Sequence, residues 1–281
     1  MTAPIFNVPQ SAIEEAVNIA IHEDVGDGDI TAQLIPEDEI TIATVISRED
    51  CVLCGMDWFE EVFRQIDEEV LIEWQAEDGD SLEADQAICS LSGSARSILT
   101  GERCALNFLQ TLSATATLAA TYAKAVEGTD AVVLDTRKTI PGLRLAQKYA
   151  VSCGGCQNHR IGLYDAILIK ENHILACGSI QQAIDEARFH NPEMPIEVEV
   201  ENLDELQQAI DASADHVLLD NFDSKTLEQA VAICKGKIIS EASGNITIDN
   251  IHDVARTGVD YISIGALTKD IKAIDLSMRF D

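Results

Sequence analysis

Six short apolar runs, each ending in a charged or small polar residue, recur from residue 131 onward and dominate what this chain can fold into. They are AVVLDTRK, AILIKENH, IEVEVEN, HVLLDNF, KIISEASGN and YISIGALT, with strand ends predicted near residues 135, 170, 199, 220, 241 and 263. Between them lie GSIQQAIDEARFH, LDELQQAIDAS, SKTLEQAVAICKG and TIDNIHDVARTG, whose apolar residues recur at helical spacing. A strand plus a helix every 21 to 35 residues is the spacing of consecutive βα units, and six of them predict a closed or nearly closed parallel barrel. An open doubly wound sheet is the competing architecture. The barrel is preferred because every strand delivers a chemical group at its C-terminal end, where barrels build their active sites.

The first hundred residues have a different texture. A helix pattern near Ser11 to His22 precedes strand-like ITIATVISR and AICSLSG, with helical GMDWFEEVFRQI between them, so this half reads as α+β. EDVGDGDIT matches a calcium loop only superficially, because the third ligand position falls on Gly26, and it reads as a turn. The uncharged stretch Ala105 to Ala123 carries Asn107, Gln110 and five Ser or Thr residues, too polar for a membrane span, and predicts a buried small-residue helix. MTAPIFNVPQ shows no export signal, so a cytoplasmic location with eight reduced thiols is the expectation.

The 281 residues carry 49 acidic and 19 basic side chains, a net charge of −30, which argues against nucleic-acid or membrane-surface binding. Between Ala131 and Lys170 the balance reverses, with Lys or Arg at 137, 138, 144, 148, 160 and 170 against acids at 135 and 165. A local cationic zone on an acidic protein suggests an anion pocket. Arg144 and Lys148, four apart on a helix, read instead as a solvated face.

The strand ends supply the candidate site: Thr136, Arg137 and Lys138; Lys170, Glu171 and Asn172; Glu199; Asp220; Ser243, Gly244 and Asn245; and Gly265. His159 and Arg160 lie between the first two units. EASGN and SIGAL follow the last two strands, where barrels often bind phosphate on backbone N–H groups. Neither a P-loop nor a GxGxxG turn occurs. A Schiff-base role for Lys170 would need a depressed pKa, whereas neighbouring carboxylates raise it, so Lys170 is expected to act as a fixed cation. CGGCQNHR, at Cys153 to Arg160, has a CxxC spacing that looks at first like a metal or redox site, but it reads as incidental, with the cysteines among glycines in a tight loop and His159 and Arg160 as the working part.

The ordered motifs ERCALNFLQTLSATAT, DTRKTIPGLR, NHRIGLYDAILIKENHI, EVEVEN, LLDNF, EASGNI and GVDYISIGALTK, with EDVGDGDIT near the start, resemble those of the quinolinate phosphoribosyltransferases. The resemblance covers nearly the whole chain. It implies an N-terminal α/β sandwich at 1–115, with the tail 271–281 packing against it, and an incomplete TIM-like α/β barrel at 116–270. It also implies a homodimer with a shared active site, and conversion of quinolinate and phosphoribosyl pyrophosphate (PRPP) to nicotinate mononucleotide, pyrophosphate and CO₂, with Mg²⁺.

By motif, Arg103, Arg137, His159, Arg160 and Lys170 would hold quinolinate, with Thr136 beside them, and Lys138 would stabilise departing pyrophosphate. Glu199 and Asp220 would position the ribose hydroxyls and Mg²⁺, while Ser243, Gly244, Asn245, Ile264, Gly265 and Ala266 would take the 5′-phosphate. Lys138, Lys170, Glu199 and Asp220 would be the catalytic groups. Two departures from the pattern are Ala114 and Cys156, both where glycine is usual. The alternatives are a paralogue of the same fold associated with molybdenum transport, and a zinc-binding structural protein using Cys51, Cys54, Cys153 and Cys156.

Overall fold

A computed structural model describes residues 5–280. Along the chain run α1 (Gln10–Val25), β1 (Ile40–Ser47), β2 (Cys51–Val52), α2 (Met56–Ile66), β3 (Leu71–Trp74), β4 (Ser81–Leu82), β5 (Ala87–Ser94) and α3 (Ala95–Ala125). There follow β6 (Val132–Leu134), α4 (Arg144–Cys153), β7 (Ile167–Ile169), α5 (Glu171–Cys177), α6 (Ile180–His190), β8 (Ile196–Val200), α7 (Leu203–Asp211) and β9 (His216–Asp220). The last elements are α8 (Ser224–Cys234), β10 (Ile239–Ser243), α9 (Ile251–Arg256), β11 (Tyr261–Ser263), α10 (Ala266–Lys269) and β12 (Leu276–Phe280). Two compact units emerge among the described residues: one holds those up to Ala120, Thr139–Gly155 and those from Ala266; the other holds Thr121–Lys138 and Cys156–Gly265.

The first unit contains a four-stranded antiparallel sheet in the order β12-β1-β5-β3. β1 alternates as a half-buried strand must, with Ala43, Val45 and Ser47 inward. The C-terminal strand β12 lies on its free edge, Ala43 opposite Phe280 and Ser47 opposite Leu276. α2 drives Trp58, Phe59, Val62 and Phe63 into the core. α3 buries Leu106, Leu109, Leu112 and Ala116.

The hydroxyls on α3 have a structural use. Ser113 Oγ accepts from the backbone N–H of Cys54 at 3.0 Å, and Thr117 Oγ1 from that of Val52 at 2.8 Å. Serine and threonine in this buried helix therefore satisfy donors of the short β2 segment that would otherwise lose hydrogen bonds on leaving water. EDVGDGDIT ends α1 at Val25 and then turns, with Asp29 Oδ1 accepting from the N–H groups of Thr31 and Ala32.

The second unit is a six-stranded all-parallel sheet in the order β6-β11-β10-β9-β8-β7. Consecutive strands are neighbours and the first lies beside the last, so the winding is that of a barrel and not of a doubly wound sheet. No ladder joins β6 to β7. At that opening Gln157 makes a parallel bridge with Leu134, its N–H donating to Val133 O at 2.9 Å and its carbonyl accepting from Asp135 N at 3.1 Å. The barrel is incomplete, with a loop segment standing where a ladder would close it.

CGGC ends a helix. α4 runs to Cys153, Gly154 caps it, and Gly155 turns the chain at φ 84°. Lys148 corrects the expectation of a solvated helix face, being fully buried, while Arg144 donates to Thr139 Oγ1 at 3.1 Å. The expected cationic zone is thereby divided: Arg144 and Lys148 belong to the first unit, and Arg137, Lys138, Arg160 and Lys170 to the second.

A Cβ added at Gly154 would lie 2.3 Å from Ala116 O and 2.5 Å from Ala119 Cβ, both on α3. Its φ of −78° is unstrained, so the constraint is purely one of space. Gly154→Ala is expected to lower Tm by about 2–10 °C, the range for overpacking by one methyl, as read by differential scanning fluorimetry.

Candidate active site

The chemistry of the second unit collects where its parallel strands end. Thr136, Arg137 and Lys138 follow β6, Lys170 follows β7, Glu199 is the penultimate residue of β8, and Asp220 closes β9. Ser243 closes β10, and Ile264 and Gly265 follow β11. Because neighbouring strands are parallel and in register, these ends emerge at one rim.

His159 and Arg160 reach that rim through a buried clasp. Asp135, fully enclosed just after β6, accepts from the backbone N–H of His159 at 2.8 Å and from Asn158 Nδ2 at 2.7 Å. Asp165 then accepts from the N–H groups of Ile161 and Gly162 at 2.6 and 3.0 Å, and Arg160 Nη1 donates to Ala166 O at 3.2 Å. The two acids of the basic stretch both help to shape this loop.

The electrostatics suit an anion. Arg160 is held below the usual guanidinium range, first by burial and next by the charge of Arg137. Two guanidinium groups close enough to repel are a site for a bidentate carboxylate. Lys170 Nζ forms an ion pair with Glu199 Oε2. The Glu199 carboxyl is raised above the usual range by burial, with Lys170 opposing the shift and the charge of Asp220 adding to it. Asp220 Oδ2 accepts from Asn221 Nδ2 at 2.7 Å. Lys170 N donates to His173 Nδ1 at 3.0 Å, which places His173 at the foot of α5 as a structural partner.

Glycine is required at one rim position and gives room at another. Gly244 sits at φ 90°, and a Cβ there would fall 2.2 Å from Asn221 Oδ1. Asn221 and Asn245 also have positive φ, and Asn245 Nδ2 donates to Asn221 Oδ1 at 2.9 Å, so two strand-end loops are locked together. At Gly265 an added Cβ would stand 3.1 Å from Lys138 Cδ, so its bare backbone leaves room for the lysine stem. Ala266 starts the short α10. Arg103 lies on α3 in the first unit with an exposed side chain, 3.9 Å from Glu102.

The cysteines do not assemble in the way CxxC spacing suggests. Cys54 and Cys153 hydrogen-bond within the first unit, and burial pushes the Cys54 thiol well up. Cys156 belongs to the second unit, where burial pushes its thiol up to about 12. Among the described residues, the one group of three metal-capable side chains in mutual reach is His159, Glu197 and Glu241.

Glu197 and Glu241 escaped the reading of strand ends. A signal was present: in IEVEVEN, Glu197 and Glu199 are two apart on one strand, and so are Glu241 and Ser243 in ISEAS. Residues two apart share a face, so an acid two positions before a rim residue points into the same interior.

Glu241 is pushed up to about 8, chiefly by burial and next by the Glu197 charge, from an ordinary 4.5. The folded protein therefore holds a proton there that the unfolded chain releases, and stability is lost as pH rises from 4.5 towards 8. Glu241→Gln removes that loss. Its Tm should match wild type at pH 4.5, exceed it increasingly up to pH 8, and level off above, by about 2–4 °C per kcal/mol relieved. Paired thermal melts from pH 4 to 9 check this.

Two family models match consecutive parts of the chain: quinolinate phosphoribosyl transferase, N-terminal domain, over residues 29–113, and quinolinate phosphoribosyl transferase, C-terminal domain, over 115–279. A Bacillus subtilis (strain 168) relative, named "Probable nicotinate-nucleotide pyrophosphorylase (carboxylating)", is 40% identical over 267 residues, covering 95% of this chain and 92% of its own. The chloroplastic nicotinate-nucleotide pyrophosphorylase (carboxylating) of Oryza sativa subsp. japonica is 38% identical, over 97% of this chain and 79% of its own. The solved nicotinate-nucleotide pyrophosphorylase from Francisella tularensis superposes with a TM-score of 0.95 at 49% identity, covering all of both chains. On these matches, and with the parallel sheet and rim already described, the chain belongs to the quinolinate phosphoribosyltransferase family.

Proposed function

We propose that this chain transfers the phosphoribosyl group of PRPP to quinolinate with loss of CO₂, giving nicotinate mononucleotide and pyrophosphate, a step of NAD biosynthesis. The observation that carries the reading is the Arg137–Arg160 pair, two like charges held close in a partly desolvated rim. Such an arrangement is unfavourable empty and becomes favourable around a dicarboxylate.

On this reading Arg137, His159, Arg160 and Lys170 bind quinolinate, with Thr136 beside them and Arg103 supplied by the partner subunit of a homodimer. The exposure of Arg103 and its single long contact with Glu102 support a residue that serves another subunit. The pyridine nitrogen attacks the anomeric carbon as the bond to pyrophosphate breaks, and Lys138 stabilises the leaving group. Glu199 and Asp220 orient the ribose hydroxyls and favour the developing oxocarbenium charge. The positive ring nitrogen next to the C2 carboxylate then accepts the electron pair freed as CO₂ departs. Ser243, Gly244, Asn245, Ile264, Gly265 and Ala266 hold the 5′-phosphate, and the close approach permitted at Gly244 and Gly265 supports that role.

Glu199 and Asp220 fit Mg²⁺, since they are carboxylate donors close enough for the charge of one to raise the other, the hard-oxygen set that this ion takes together with substrate phosphates. Bound there, the ion would neutralise pyrophosphate charge. Among the described residues no helix is long and apolar enough to cross a membrane, and small-molecule substrates are the partners this reading requires.

Purified protein given quinolinate, PRPP and Mg²⁺ should form nicotinate mononucleotide and CO₂ in equal amounts, and absence of both products overturns the reading. Arg160→Ala should raise the quinolinate KM about 10- to 100-fold, the value of one charged hydrogen bond to a carboxylate. In a separate test of the shared site, Arg103→Ala and Lys138→Ala proteins, each inactive alone, should regain part of the activity when mixed. Mixed dimers that form and remain inactive would refute the sharing.

A further inference from the structure

Directly beneath His159 lies a pair of carboxyl groups to which the reaction above assigns no task. His159 Nε2 is 2.9 Å from Glu197 Oε2 and 3.5 Å from Glu241 Oε2, and the three side chains are only 14%, 10% and 4% exposed. Glu197 projects from β8 and Glu241 from β10, with β9 between them, so the pair is assembled from alternate strands of the sheet.

Two carboxyl groups side by side in a barrel interior are expensive to keep. Each Oε1 atom is buried without a hydrogen-bond partner, and the mutual repulsion and burial keep a proton on Glu241 near neutrality. A pair of leucines would fill the same space without those costs. What the pair provides is a fixed acceptor for one ring nitrogen of His159. The Asp135 clasp holds the backbone of the same residue at 2.8 Å, so the imidazole is anchored from the main chain on one side and from the barrel floor on the other.

We propose that Glu197 and Glu241 are positioning residues that keep the proton of His159 on Nε2 and fix the plane of its ring before quinolinate arrives. The proposal rests on the assignment of His159 to quinolinate binding. Glu197 accepts the Nε2–H, and Glu241, carrying its own proton, completes the floor and donates towards its neighbour. Neither touches the substrate; both act through the ring.

The test uses full-length enzyme with ¹⁵N-labelled histidine, the His159 signals being assigned by their loss in His159→Gln. Wild type should show a ring protonated at Nε2. The double variant Glu197→Leu, Glu241→Leu should fold with an unchanged or higher Tm, show His159 ring shifts moved towards a tautomer mixture, and raise the quinolinate KM about tenfold or more. Its kcat and its KM for PRPP should change less than about threefold, the split expected when ground-state binding alone is lost. Glu241→Leu alone should show part of the defect and Glu241→Gln should rescue it, because an amide can take the place of the protonated acid.

Unchanged ring shifts and unchanged quinolinate KM in the double variant, or in Glu197→Gln should the double variant fail to fold, overturn the proposal. An unchanged quinolinate KM in His159→Ala overturns the assignment of His159 to the substrate, and the proposal falls with it. The two failures are distinguishable, since in the first His159→Ala still weakens quinolinate binding.

Discussion

The buried carboxylate of Asp135 is the interaction on which the rest of the site depends. It stands just beyond β6, at the one place where the six-stranded sheet has no ladder to complete it. The chain that crosses this opening pairs Gln157 with Leu134 and then gives two donors to Asp135, the N–H of His159 and the amide of Asn158. A carboxylate removed from water is tolerated only when its oxygens are satisfied, and these two donors provide that. The same bonds carry His159 and Arg160 to the rim. Closure of the barrel and delivery of His159 and Arg160 to the rim are therefore one structural event.

The charge distribution follows from the same logic. On a chain of net charge −30, a cluster of Arg137, Lys138, Arg160 and Lys170 has to be sheltered from its own surroundings to remain available to a ligand. The acids nearest in sequence, Asp135 and Asp165, accept from backbone N–H groups of the loop that carries His159 and Arg160, and Asp135 also accepts from the Asn158 amide. Glu199 forms an ion pair with Lys170. Glu197 and Glu241 lie one layer down, where a shared proton limits their charge and their contact is with His159. The rim is cationic above and acidic below, and His159 is the residue that spans the two levels.

Much of this was legible before any coordinates. The predicted strand ends at 135, 170, 199, 220 and 263 fall within a residue or so of those observed, and β10 runs two residues beyond the expected 241. A parallel strand buried between helices is written as a short apolar run with a polar terminus, and that pattern survives without knowledge of neighbours. The serines and threonines of α3 were read correctly as incompatible with lipid, yet their use as acceptors for β2 depends on a strand more than fifty residues away. Lys148 was read as solvated because helical spacing says which residues share a face and not which face is covered. A helix end at Cys153 and Gly154 places the two thiols of the CxxC spacing in different units.

What the sequence determined by itself was the periodicity of strand and helix, and with it the set of residues at the strand ends. Those are local properties, fixed by backbone geometry and apolar spacing. Only the tertiary structure decided that Gln157 and Asp135 bridge the open edge, that Lys148 is buried, and that Glu197 and Glu241 meet beneath His159. These depend on contacts between residues 20 to more than 80 positions apart, and burial together with the Glu197 charge sets the protonation of Glu241. A charge in a strand reads the same whether its neighbour is water or another carboxylate; packing makes the difference.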